Sequence, residues 1–234
     1  MSVGDARVLG IIPAKGGSTR FPQKNIAMLA GQTLLERCAR AMLDSEILDD
    51  LVVSSESDEV LDVAHSLGLK VPFRRPSELA KDPAGVVDVV QHTIDELAKL
   101  GEVFDTVVAC LPTCPLRDSG VVVGAYKLFR ETGTTVMSIS EFTHTPFAAQ
   151  KVTDGGQLEP WFPDFWGRKS QEMPTAYRPN GAVHVADVEV LRATGSMLGP
   201  PVVGYEMPRE RSIDIDTEAD LHEAAAYLAQ SNEA

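Results

Sequence analysis

The sequence predicts an α/β protein: a mostly parallel, Rossmann-like sheet with helices on both faces. Two observations carry this. Short, continuously apolar runs recur between Val8 and Ile139, the pattern of strands covered on both sides. Between them lie segments with apolar residues at helical spacing, several stopped by glycine. Strand and helix alternating at this spacing argue for parallel strands joined by crossover helices. Ligands in such sheets sit beyond the carboxyl ends of the strands, so the loops after Pro13, Ser54, Phe73 and Leu111 are where chemistry is expected.

Taken in order, Val8 to Ala14 is the first buried strand, and Gly16 to Asn25 a polar loop. Thr33 to Leu43 is helical, with Leu34, Leu35, Cys38, Ala41 and Met42 on one face. Leu51 to Ser54 is a short strand, Glu59 to Leu67 a helix ended by Gly68, and Lys70 to Phe73 another strand. Val86 to Leu100 is a helix stopped by Gly101; Thr106 to Leu111 is a strand, Gly120 to Phe129 a helix and Thr135 to Ile139 a strand. Residues 142–180 break the rhythm and hold half of the phenylalanines, tryptophans and tyrosines. Linkers are aromatic-poor, so this reads as an inserted, projecting segment that forms an interface. Strands return at Ala182 to Val185 and Val202 to Tyr205, and Glu218 to Leu228 is the last helix. The whole chain, 1–234, reads as one domain carrying the 142–180 insertion.

Composition excludes several classes. Hydrophobic residues are 44% and charged residues 24%, which rules out a disordered chain. A net charge of −13 opposes nucleic-acid binding and requires a local basic pocket for any anionic ligand. Apolar runs fall far short of the roughly 18 residues of a membrane helix, and Asp5 and Arg7 interrupt any signal segment, so no membrane association is expected. Cys38, Cys110 and Cys114 show neither zinc spacing nor a disulfide framework, which suits a reducing cytoplasm.

Five segments suit chemistry. In Ile11 to Asn25, a buried strand feeds a loop with Gly16, Gly17, Ser18 and three cations, Lys15, Arg20 and Lys24. Glycines let backbone N–H groups approach an anion, and the cations neutralise a polyphosphate. The loop lacks both the P-loop and the dinucleotide fingerprint. In Ser212 to Thr217, an extended chain puts Asp214 and Asp216 on one face, with Ile213 and Ile215 inward. Two carboxylates side by side suit Mg²⁺; an ordinary strand with a polar face is the plainer alternative. Pro76 makes Arg75 extended at a strand end, aimed into the cleft or paired with Glu78. Leu111 to Arg117 is an exit loop stiffened by Pro112 and Pro115, in which Cys114 is a poor nucleophile among apolar neighbours. Tyr177 to Gly181 reads as a turn, with Arg178 and Asn180 either shaping it or touching a ligand.

In this order, from Ile11 to Leu221, the segments resemble the CMP-sialic acid synthetase (acylneuraminate cytidylyltransferase) family. In that family's opening loop an Arg, a Ser-Lys pair and a Lys-Asn pair surround CTP. Here Lys15 takes the Arg place, Ser18 matches, Thr19 replaces the Lys, and Lys24 and Asn25 match. The resemblance implies a nucleotidyltransferase fold with a small projecting dimerisation subdomain, and CTP bound by Lys15, Gly16, Gly17, Ser18, Arg20, Lys24, Asn25 and Arg75. It implies a sialic-type nonulosonic acid bound by Arg178 and Asn180, and Mg²⁺ on Asp214 and Asp216. Lys15, Lys24 and Asp216 are the expected catalytic residues, Asp216 as proton acceptor unless the metal-polarised hydroxyl loses its proton directly. A homodimer in the cytoplasm is implied as well. Leu111 stands where the family commonly has Gln, and Ser170 where it commonly has Arg; both places lie toward the sugar. Lys15 for Arg also exchanges a planar fork for a point charge. The expected activity is cytidylyl transfer from CTP. Transfer to another 2-keto-3-deoxy acid such as Kdo is the near alternative, and non-catalytic nucleotide-sugar binding the distant one.

Overall fold

A computed structural model describes residues 6–18, 20–198 and 201–231. Thr19 lies outside the described residues. Strand β1 (Val8–Pro13) is buried along its whole length. The short strands β2 (Met28–Leu29) and β3 (Gln32–Thr33) pair as a hairpin that leads into α1 (Leu34–Leu43). Next come β4 (Asp50–Ser54), α2 (Asp58–Ser66), α3 (Val86–Lys99), β5 (Thr106–Ala109), α4 (Ser119–Thr132) and β6 (Thr135–Glu141). A small hairpin, β7 (Gln150–Val152) and β8 (Leu158–Pro160), precedes the long strand β9 (Tyr177–Asp187). The chain closes with α5 (Val188–Thr194), β10 (Val202–Glu206) and α6 (Glu218–Ser231).

Six strands form the main sheet in the order β10-β6-β9-β5-β1-β4. β1 pairs in parallel with β4 and β5, and β10 with β6; β9 alone runs antiparallel between β5 and β6. Both faces are covered, which is why the strands read as unbroken apolar runs. Val8 and Ile12 face α1, α2 and α4 through Leu35, Val60 and Phe129. Leu9 and Ile11 face α3 and α5 through Val90, Ile94 and Leu191. Helix starts are fixed by side chains: Thr33 accepts from the Glu36 N–H at 3.0 Å and Asp118 from the Val121 N–H at 3.0 Å. Each such cap contributes about 1 kcal/mol.

Three expectations change. Lys70 to Phe73 shrinks to a single parallel bridge between Val52 and Lys70, because Pro72 cannot donate to a ladder and Pro76 follows. Tyr177 to Gly181 is not a turn but the start of β9, with Tyr177, Arg178 and Pro179 opposite Glu141, Ser140 and Ile139 of β6. The register slips between Met137 and Ile139, and Gly181 takes a left-handed φ of +72° there. The turn-like composition records a bulge inside a strand. Finally, Ser212 to Asp216 joins no strand; Ser212 is not extended (φ −111°, ψ 32°) and the chain bends at Asp216.

Of the segment 142–180, the residues from Tyr177 on belong to β9 of the main sheet. Phe147 lies 5.4 Å from Phe162 and 4.7 Å from Phe165, ring to ring, making a small cluster of its own. Trp161 and Trp166 stay outside it, 62% and 55% exposed.

Candidate active site

The loops at the carboxyl ends of β1 and β5 converge with the segment from Arg75 to the start of α3 on a cleft of about 290 Å³. Lys15, Lys24, Asn25, Arg75, Leu111 and Asp214 are on its wall.

The loop after β1 is held from below. Asn25 is buried, and its Nδ2 donates to the Lys15 carbonyl at 2.8 Å, leaving the exposed Lys15 side chain to the cleft. The Gly16 N–H donates to Glu56 Oε1 at 2.8 Å. A Cβ on Gly16 would sit 2.3 Å from Ser57 Cβ, so no side chain fits there, whereas Gly17 faces open space. Ser18 Oγ accepts from the Phe21 N–H at 3.4 Å.

The second oxygen of Glu56 pairs with Arg75, which is only 3% exposed. Glu56 therefore ties the glycine loop to the cleft arginine. Burial pushes its carboxyl up, but the Arg75 and Gly16 hydrogen bonds outweigh that and hold it below the usual range. Arg75 is on the cleft wall, and Glu78, the alternative partner offered by the sequence, is not the one observed. Glu56 was missed because an acid in the polar run Ser54-Ser55-Glu56-Ser57-Asp58-Glu59 reads as a solvated surface residue. The signal was its place just beyond the carboxyl end of β4.

The acidic pair is split between two environments. Ile215 is fully buried, and its N–H donates to the Thr113 carbonyl at 2.7 Å, docking the segment against the exit loop of β5. Asp216 accepts from Lys24 Nζ at 2.8 Å and pairs with Arg20 Nη2 at 2.6 Å. Those hydrogen bonds and charges, Lys24 first, hold its carboxyl below its ordinary value. Asp214 is mostly buried, and burial, reinforced by the charge of Asp216, holds it above its ordinary value against a hydrogen bond from Thr113. A cation placed there would relieve both carboxylates. Hard oxygen donors with room for substrate oxygens suit Mg²⁺. Among the described residues no group of three or more acidic, histidine or cysteine side chains forms a complete metal cage, so phosphate oxygens would complete the shell.

Arg178 is exposed on β9, and its charge acts on Asp214. Asn180 behaves differently. It is 2% exposed; its Nδ2 donates to Ser212 Oγ at 2.9 Å and its Oδ1 accepts from Ser138 Oγ at 2.6 Å and from the Ala182 N–H at 3.2 Å. Its other Nδ2 hydrogen points to Met207 Sδ at 3.3 Å, so in this structure the amide is engaged inside the fold. Cys114 is buried and its thiol pushed up to about 12, chiefly by desolvation, which leaves no nucleophile there.

A family model described as Cytidylyltransferase matches residues 9–110, spanning the glycine loop and Arg75. The chain is 31% identical to pseudaminic acid cytidylyltransferase of Campylobacter jejuni over 225 residues, 96% of this chain and 97% of that protein. It belongs to the CMP-sialic acid synthetase family of cytidylyltransferases. Identity to the CMP-N,N'-diacetyllegionaminic acid synthase of Legionella pneumophila is likewise 31%, over 92% of this chain and 93% of that one. The solved CMP:2-keto-3-deoxy-manno-octonic acid synthetase complexed with CTP superposes with a TM-score of 0.72 over 97% of this chain and 100% of its own, at 14% identity, and so shows the shared fold. In this family member, Lys15, Lys24, Arg75 and Asp214 share one cleft. Its departure at Leu111 also lies on the cleft wall.

Proposed function

We propose that this protein transfers the cytidylyl group of CTP to a nonulosonic acid of the sialic, legionaminic or pseudaminic type. The sugar's anomeric oxygen attacks the α-phosphorus, the bond to the bridging oxygen breaks, and pyrophosphate leaves. The observation that carries this reading is the cleft itself: Lys15, Lys24 and Arg75 face Asp214 across the strand ends, in a chain aligned end to end with two nonulosonate cytidylyltransferases.

In this reading the Gly16-Gly17 backbone, Ser18 and Lys15 receive the triphosphate, and Lys24 and Arg20 neutralise the leaving pyrophosphate. Arg75, oriented by Glu56, closes the nucleotide side. Arg178 meets the sugar acid's carboxylate. Asp214 and Asp216 hold Mg²⁺, which supplies charge neutralisation at the phosphates. Binding of the nucleotide draws Lys24 and Arg20 from Asp216 to phosphate oxygens and frees that carboxylate. Losing those partners removes what holds its proton affinity down, so the anomeric hydroxyl's proton passes to Asp216 or, from the metal-polarised hydroxyl, directly to water. The remaining parts of the proposal are one catalytic domain over 1–234, a 142–180 arm that dimerises, and a cytoplasmic enzyme where CTP and unpaired thiols coexist.

The test is pyrophosphate release from CTP across a panel of 2-keto-3-deoxy sugar acids, with and without Mg²⁺. Metal-dependent release with a nine-carbon acid supports the proposal. Release only with an eight-carbon acid reassigns the acceptor, and none with any acid leaves a nucleotide-sugar binding protein.

A further inference from the structure

A second cavity, of about 320 Å³, opens between α1, the Pro115–Asp118 loop and α6. Arg37, Arg117 and Arg211 line it against one carboxylate, Asp118, with Leu116 and Leu228 as apolar walls. None of these residues lines the nucleotide cleft. In a chain of net charge −13, three guanidinium groups on one small cavity form a local positive pole.

Arg211 donates Nε and Nη2 to the Leu116 carbonyl at 3.2 and 3.1 Å, while Arg117 and Arg37 have donors to spare. Arg117 is 5% exposed; its Nη1 donates to the Leu111 carbonyl at 2.9 Å and the Cys114 carbonyl at 2.7 Å. Its Nε and Nη2 are buried without a hydrogen-bond partner, and so is Nε of Arg37. Arg37 Nη1 donates to Gln32 Oε1 at 3.0 Å. Asp118 pairs with Arg211 at 2.7 Å and also caps α4, so it does not neutralise the other two. The neighbouring Glu36 is taken by Arg40 at 2.8 Å. A structural role in pinning the exit loop accounts for Nη1 of Arg117. It does not account for the buried Nε and Nη2 of Arg117 and the buried Nε of Arg37, donors left without an acceptor, which protein interiors otherwise avoid.

We propose that this cavity is a second anion site, taking a compact phosphate-type oxyanion between Arg37, Arg117 and Arg211. Planar guanidinium forks match phosphate oxygens bidentately. Arg117 also holds the Leu111 carbonyl, and the Leu111 side chain is on the wall of the nucleotide cleft. An anion here therefore stiffens the loop between the two cavities.

Equilibrium dialysis with radiolabelled inorganic phosphate decides it, using full-length protein saturated with CTP, without metal or sugar acid, at constant ionic strength. The wild type is expected to bind one phosphate per chain, with pyrophosphate as a competitor. Arg37→Gln and Arg211→Gln should each weaken that binding about tenfold, the loss of one charge-assisted hydrogen bond. Arg37→Lys should keep part of it, and CTP affinity, which reports folding, should be unchanged in all three. A CTP-saturated wild type that binds no phosphate at millimolar concentration overturns the proposal. So does binding that is the same in Arg37→Gln and Arg211→Gln as in the wild type.

Discussion

Glu56 joins the backbone of the glycine loop to a buried guanidinium, so its removal should be felt in folding and in nucleotide binding together. Glu56→Gln leaves Arg75 buried without a counterion and is expected to destabilise the fold by about 3 kcal/mol at neutral pH, read by urea denaturation. The carboxyl is depressed in the folded state, so its contribution is present above the unfolded value of 4.5 and disappears as pH falls through the lower folded value. The gap between wild type and variant should therefore narrow below pH 4.5; a gap that widens on acidification contradicts the pairing. The acidic pair gives a second residue-scale prediction. Asp214→Asn and Asp216→Asn change little volume and should keep the fold, yet lower turnover by about 100-fold or more, since each removes a ligand for the metal and charge at the reacting centre. Activity equal to wild type at saturating Mg²⁺ in both variants removes the assignment. At this scale the cations of the site were legible, because Lys15, Arg20 and Lys24 stand out in an acidic chain. Glu56 and the internal role of Asn180 were not, because both depend on partners far away in sequence.

Among the elements, helices were the most legible, since their apolar faces and glycine stops are local features. Helix α3 starts at Val86 as the periodicity indicates and stops at Lys99, before Gly101 at a φ of +84°. Strand β9 was misread in its first half, because Pro179, Asn180 and Gly181 carry turn chemistry that serves a bulge instead. Gly181→Ala tests this. Its φ of +72° disfavours a side chain, and the new Cβ would approach Leu111 Cδ1 to 3.0 Å. The variant should lose about 1–2 kcal/mol of stability and raise the KM for the sugar acid, because Arg178 and Leu111 both move. An unchanged KM would mean that the bulge does not position the sugar side.

At the scale of the whole molecule, the arm that carries Trp161 and Trp166 is the feature a single chain leaves unburied. Phe147, Phe162 and Phe165 satisfy part of their surface against one another, as a satellite cluster would. The two tryptophans do not, and each buries about 150–250 Å² when covered, a substantial share of a standard interface. A two-fold dimer is expected at micromolar concentration in sedimentation, dissociated by Trp161→Ser or Trp166→Ser. A single species near 25.3 kDa ends that reading. Charge distribution sets the other global expectation: with a net charge of −13 for the chain and Lys15, Lys24 and Arg75 on the cleft wall, the KM for CTP should rise with ionic strength. The central claim is cytidylyl transfer, and phosphorus NMR of the complete reaction tests it most directly. The account predicts one new phosphodiester resonance, that of a CMP-sugar, rising in step with pyrophosphate when a nonulosonic acid, CTP and Mg²⁺ are present, and no comparable product from ATP or GTP. Inorganic phosphate without a phosphodiester, or equal product from a purine triphosphate, would contradict it.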